Sequence, residues 1–175
     1  MTKQHERTAS SHTGPHSFQM KSWISCAPFE RLLNMEIVEA SEGHATLTMP
    51  FLVDYAQGAG LMHGGALVSL ADTAVVMAIK SILPPLSHFA TIHCETRFLR
   101  PVRKGIVTAR AKVISRQDRE FQGQATLYDE DGSTVLVFSS TFKMAGNAKI
   151  RGVVFEGDSA VPNHEPIGPC RKPKD

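Results

Sequence analysis

The residue types best suited to chemistry lie in one apolar stretch of the chain, which runs from His63 to Leu83. It opens with Gly64-Gly65, and because glycine has no Cβ, the first free backbone N–H groups of a helix beginning there are open to a ligand. These groups lie at the positive end of the helix dipole and suit a developing oxyanion. Asp72 follows two turns later. Because burying an unpaired charge is costly, such a carboxylate is paired, interfacial or functional.

Residues 66–83 are predicted to form a helix that carries both groups. They are apolar on nearly every face, and two prolines directly after them stop the helix. A helix that is apolar all round either spans a membrane or is wrapped by a folded domain. Asp72, with Ser69 and Thr73 beside it, argues against the membrane because a carboxylate at mid-bilayer is costly. The rest of the chain is therefore expected to wrap this helix.

The spacing of Gly64 and Asp72 makes a further prediction. Eight residues of helix separate them by about 12 Å along the axis and by roughly 80° around it. One helix therefore cannot bring both to the same reacting carbon. If both act in one site, two copies of the helix lie side by side and antiparallel, which predicts a dimer.

Composition limits the function classes. The chain has 175 residues, of which 42% are hydrophobic and 21% charged, as in a single globular domain. Its net charge of +2 is too small to predict nucleic-acid binding. The three cysteines (Cys26, Cys94 and Cys170) are far apart, and no histidine spacing matches a metal site. Residues 1–21 have no apolar core typical of a secretory signal, so we expect a cytoplasmic protein.

The rest of the chain predicts an α+β fold. Residues 1–20 and 146–175 are interpreted as disordered tails around one domain at 21–145, although Val153-Val154-Phe155 could add an edge strand. A short helix is expected at 27–33. Alternation then predicts a hairpin that turns at Ser41-Glu42-Gly43. Four more strands are expected after the long helix, at residues 91–98, 106–114, 121–128 and 134–144.

One pattern in this order is specific: Gln57-x5-His63-Gly64-Gly65-Ala66-Leu67-x4-Asp72-Thr73-Ala74. It resembles the hotdog-fold acyl-coenzyme A thioesterases of the phenylacetate-pathway, or PaaI-like, type, within the 4-hydroxybenzoyl-coenzyme A thioesterase superfamily. The similarity runs from about residue 28 to residue 144, and residues 98–105 resemble the family's connection between two strands. The resemblance implies a curved antiparallel sheet wrapped around one long central helix.

The resemblance also implies roles for single residues. It makes the Gly64 amide the group that polarises a thioester carbonyl, and it makes Asp72 the base or nucleophile. Gln57 would help to position the water or the carbonyl, and Thr91 would assist from the strand after the helix. His63 is open to two roles, direct catalysis or hydrogen bonding that fixes the loop. No cofactor or metal is implied.

Substrate contacts are predicted for Gly65 and for four cations near one strand end. These cations could bind the phosphates of coenzyme A, or they could form a solvated turn. They are Arg97, Arg100, Arg103 and Lys104.

The expected function is hydrolysis of an acyl-coenzyme A by a homodimer or a dimer of dimers, with neither nucleic acid nor membrane as a partner. Two alternatives stay open. One is a hydratase or dehydratase of acyl thioesters, although the Asp-x-Asn-x-x-His string common in those relatives is absent from this sequence. The other is a protein that binds acyl thioesters without turnover. The length of the acyl chain is left open by the sequence.

Overall fold

The computed structural model describes residues 16–156. Two helices and eight strands follow one another in an α+β order that confirms the expected fold class. In chain order they are β1 (Phe18–Met20), α1 (Pro28–Leu32), β2 (Glu36–Ser41), β3 (His44–Pro50), α2 (Gly64–Lys80), β4 (Ser87–Phe98), β5 (Ile106–Gln117), β6 (Glu120–Tyr128), β7 (Thr134–Lys149) and β8 (Val153–Phe155).

The long helix α2 is the centre of the fold, as the sequence predicts. It begins at Gly64, two residues earlier than the apolar pattern starts, because His63 caps it. It ends at Lys80, three residues earlier than predicted, and a cation in the last turn suits the negative end of the helix dipole. Neither α2 nor the short α1 is long and apolar enough to cross a membrane.

Six antiparallel strands form the sheet that packs on α2, in the order β2-β3-β5-β6-β7-β4. The predicted β2–β3 hairpin is confirmed: Glu42 and Gly43 both have positive φ, 48° and 78°, as a tight two-residue turn requires. Gly123 on β6 lies so close to Val75 of α2 that a side chain there would collide with it. A glycine in mid-strand therefore lets the sheet approach the helix closely.

One side of α2 is not covered by the sheet. Most residues of the helix are buried. Partly exposed residues recur every three to four positions and form a stripe along the remaining face. It includes Val68, Ser69, Asp72 and Val76. The sheet thus wraps the apolar face of the helix, as expected, and leaves this stripe uncovered.

The folded region extends beyond the predicted domain limits of 21 and 145. Residues 18–20 form β1, β7 continues to Lys149, and Val153-Val154-Phe155 form β8. β1 and β8 pair in parallel, and the amide of Phe18 donates to the carbonyl of Gly152 at 2.9 Å. The tail assignment is thus corrected at both inner boundaries. The remainder of both predicted tails lies outside the described residues.

Candidate active site

The loop before α2 is closed by its own backbone hydrogen bonds. The amide of His63 donates to the Tyr55 carbonyl at 2.7 Å, and the amide of Gln57 donates to the Leu61 carbonyl at 2.8 Å. The buried Tyr55 hydroxyl donates to the Leu32 carbonyl at 2.9 Å and accepts from Asn34 Nδ2 at 2.6 Å. This anchor to α1 fixes the path along which the chain enters the helix.

His63 caps the helix with its side chain. Its Nδ1 accepts a hydrogen bond from the Gly65 amide at 2.9 Å, and its own backbone is extended. The Gly65 amide is therefore engaged within the cap, which corrects its predicted role as a free substrate donor. The Gly64 amide, the first of the helix, has no acceptor within the described part of the chain. Of the two glycines, Gly64 supplies the open donor.

A cleft of about 390 Å³ opens beside Gly64. Leu61, Met62 and Leu67 give it apolar walls, and Gln57 and Arg100 bring polar groups to it. Gln57 Oε1 accepts from the Ala59 amide at 2.8 Å, so its Nε2 amide group is the part left to donate to a ligand. The arrangement places a backbone donor and a side-chain donor around one apolar cleft.

Phe98, at the end of β4, also lines this cleft, and sequence reasoning missed it. Its ring packs against Gly64, so that a Cβ built on Gly64 would lie 3.1 Å from two ring atoms. The only signal in the sequence was its place at the end of a predicted strand, which says nothing about a contact with a helix start 34 residues away.

Asp72 lies in the middle of the uncovered stripe and pairs with Thr91 of β4. The Thr91 hydroxyl donates to Oδ1 at 3.1 Å, with Oδ2 at 3.4 Å. Burial raises the pKa of the Asp72 carboxyl, and the Thr91 hydrogen bond opposes that rise by favouring the charged form. The structure thus brings Asp72 and Thr91 together within one chain. Gly64 lies at the start of the helix, and Gln57 lies in the loop before it.

The four predicted cations have different surroundings. Lys104 Nζ forms an ion pair with Glu130 Oε1 at 2.7 Å, which engages it in a surface turn. Arg100 lines the cleft beside Gly64, and Arg97 and Arg103 are exposed nearby in sequence. Among residues 16–156, no group of three or more histidine, cysteine or acidic side chains is placed to hold a metal ion.

Comparison with known proteins shows which proteins this chain is similar to. Residues 59–136 match the thioesterase superfamily. The acyl-coenzyme A thioesterase PaaI of Escherichia coli is 32% identical over 109 residues, which are 62% of this chain and 76% of that protein. A Halobacterium salinarum protein that carries an esterase name is 36% identical over 100 residues, 54% of this chain and 66% of the archaeal protein.

Solved structures show the same similarity. The structure of the Escherichia coli PaaI protein has a TM-score of 0.63 and 27% identity, covering 69% of this chain and 86% of that one. A conserved Pseudomonas aeruginosa protein has a TM-score of 0.66 and 25% identity, covering 70% and 96%. With its six-stranded antiparallel sheet and one long helix, the chain belongs to the PaaI-like, hotdog-fold thioester hydrolases of the thioesterase superfamily.

Proposed function

We propose that this protein hydrolyses an acyl-coenzyme A to the free acid and coenzyme A. The observation that carries the proposal is that one chain presents two complementary groups: an open Gly64 amide in an apolar cleft, and a half-buried carboxylate held by Thr91. A thioester carbonyl needs an oxyanion donor and a base or nucleophile, and these two groups supply that minimum. The name of the Escherichia coli relative supports coenzyme A as the thiol.

The reaction follows from the chemistry of these groups. The Asp72 carboxylate takes a proton from water that attacks the thioester carbon, or it attacks that carbon itself. Charge then develops on the carbonyl oxygen, which accepts hydrogen bonds from the Gly64 amide and Gln57 Nε2. Collapse of the intermediate breaks the C–S bond, and the coenzyme A thiolate leaves and takes up a proton. Direct attack forms an anhydride with Asp72 that water then cleaves.

The two groups of each site belong to different subunits of a dimer in this proposal. About 12 Å of helix separates Gly64 from Asp72, so one chain does not place both on one carbon. β4 is an edge strand whose residues are largely exposed, and the stripe of α2 beside it is uncovered. Unpaired edge strands recruit another strand, and a two-fold partner would cover both features. A dimer of dimers is compatible with the same unit.

Coenzyme A phosphates would lie near Arg100, because it is the cation that lines the cleft. Arg97 and Arg103 add exposed charge on either side of it in the sequence. Cys26 and Cys94 form no disulfide within residues 16–156, which suits the reducing conditions of the cytoplasm, where we place the reaction.

The test is release of free thiol from acyl-coenzyme A esters of graded chain length and aromatic type. We expect catalytic thiol release with at least one ester, and we expect Asp72→Asn to abolish that release. Tight binding of every ester without thiol release would instead identify a binding protein. If the thioester stays intact while the absorbance of the acyl double bond changes, the protein is a hydratase or dehydratase.

A further inference from the structure

Phe98 is a large apolar side chain left half in water at the edge of the cleft. It is 55% exposed, yet its ring edge rests on Gly64, where an added Cβ would come within 3.1 Å of Cε1 and Cζ. This separation is tighter than ordinary van der Waals contact, so any side chain at position 64 would have to displace the ring. The ring thus lies directly beside the helix start that carries the open amide.

We propose that Phe98 is a positioning residue for thioester hydrolysis, because its ring fixes the thioester carbonyl against the Gly64 amide and keeps water away from that hydrogen bond. This inference rests on the proposed function and deepens it. A hydrogen bond to a developing oxyanion is stronger where water is excluded, because the local dielectric constant is lower. The ring also gives the planar thioester a flat apolar surface on which it can be held in one orientation.

The inference explains why glycine occupies position 64. The oxyanion donor is a backbone N–H, which every residue except proline provides, so donation alone does not require glycine. The close approach of the Phe98 ring favours it, because an added Cβ would push the ring away by a few tenths of an ångström. Gly64 and Phe98 are therefore expected to act as one unit, with the glycine making room for the ring.

A plain packing role makes different predictions. If Phe98 only covered apolar surface between subunits, it would resemble Ile92, which is also on β4 and is also 55% exposed, but does not line the cleft. Ile92 is therefore a matched control for loss of apolar surface from the same strand.

The experiment measures kcat and KM for Phe98→Leu, Phe98→Tyr and Ile92→Ala with one acyl-coenzyme A. We expect Phe98→Leu to lower kcat about tenfold with a change in KM below about threefold, since the interaction acts in the transition state. Phe98→Tyr keeps the ring and should retain most of kcat, and Ile92→Ala, which removes a similar amount of apolar side chain, should stay near the unchanged protein. Equal effects of Phe98→Leu and Ile92→Ala, or a change confined to KM, would overturn the inference.

Gly64→Ala supplies the second arm, because it keeps the N–H and adds only the Cβ that meets the ring. We expect it to lower kcat about tenfold, and the double variant with Phe98→Leu to be about as active as the weaker single variant. Multiplicative losses would contradict the coupling. Absence of thiol release by the unchanged protein would overturn the proposed function, whereas normal turnover by Phe98→Leu would overturn only this inference.

Discussion

The two chemical regions of α2 are held in contrasting ways. At the helix start, the donors are fixed by the chain's own backbone: the 55–63 loop closes on itself, and His63 caps the first turn. Eight residues later, Asp72 has a single hydrogen-bonding partner among the described residues, Thr91, and lies on a stripe that the sheet leaves uncovered. The helix start is fixed within one chain, whereas the carboxylate lies on a face that the chain leaves uncovered.

One strand contacts both regions. Near its beginning, β4 places Thr91 on Asp72, and at its end it places Phe98 on Gly64. The same strand is the edge of the sheet. Pairing of this edge with its copy in a second subunit would therefore fix both regions at once, and the predictions below separate what each region contributes.

The largest effect is expected at the carboxylate. Asp72→Asn preserves shape but removes the base or nucleophile, so kcat should fall by at least about 10²-fold. Steady-state thiol release measures this loss. If Asp72→Asn has a kcat near that of the unchanged protein, Asp72 has no catalytic role and is only an interface residue.

Thermal unfolding of the same variant gives the control. The folded-state pKa of Asp72 is raised by burial, so the ionised form costs stability, and this cost grows as pH rises through that pKa. At neutral pH, Asp72→Asn should therefore unfold at the same or a higher temperature than the unchanged protein. A lower unfolding temperature would mean that the loss of activity reports damage to the fold.

The helix start should be nearly as sensitive, in a variant that removes the donor and is compared with Gly64→Ala, which shares the added Cβ. Proline lacks the N–H and is well accepted at the first position of a helix. His63, which precedes it, already has the extended backbone that a following proline favours. We expect Gly64→Pro to lower kcat by about 10²-fold relative to Gly64→Ala, which adds a Cβ but keeps the N–H. Equal kcat values for Gly64→Pro and Gly64→Ala would show that the Gly64 amide does not stabilise the oxyanion.

The Thr91 hydrogen bond should have a smaller effect that appears in the pH profile. It favours the charged form of Asp72, so Thr91→Val should raise the pKa of that carboxyl further. The acidic limb of the kcat–pH profile, where activity rises as Asp72 loses its proton, should then move to higher pH. Thr91→Ser keeps the hydroxyl and should leave the limb in place. A limb that does not move in Thr91→Val would contradict the pairing.

The smallest effect is expected at the substrate's nucleotide end. Arg100→Ala should raise KM for an acyl-coenzyme A several-fold with kcat largely kept, because a phosphate contact remote from the thioester is lost. Lys104→Ala is the matched control, since Lys104 is already paired with Glu130. For a short thioester without the nucleotide, both variants should have the same KM as the unchanged protein. Equal effects of Arg100→Ala on both substrates would contradict phosphate binding.

Local pattern was enough to predict the elements that carry the site. The apolar run with two prolines behind it predicted α2 to within three residues, and alternation with Glu42-Gly43 predicted the first hairpin. Both signals depend on neighbours in the sequence, which is why they are readable there. The resemblance, rather than the pattern, suggested that Thr91 belongs with Asp72.

Contacts between distant residues could not be read in this way. Phe98 on Gly64, Lys104 on Glu130 and the parallel pairing of β1 with β8 join segments separated by many residues. These contacts form through tertiary packing, which the local pattern of apolar and polar residues does not predict. The position of the uncovered stripe on α2 could not be predicted for the same reason, since apolar residues recur on nearly all faces of the helix and the packing of the sheet decides which face stays open.

The central claim is that each site takes its donors from one subunit and its carboxylate from the other. Asp72→Asn and Gly64→Pro chains carrying different tags are unfolded and refolded together, and the purified mixed dimer is assayed for acyl-coenzyme A hydrolysis. In a two-fold dimer with shared sites, one site of each mixed dimer collects both lesions and the other collects none. The purified mixed dimer should therefore have about half of the activity of the unchanged dimer. The unseparated mixture, in which random association makes about half of the dimers mixed, should recover about a quarter. Mixed dimers that form and remain inactive would contradict the shared site.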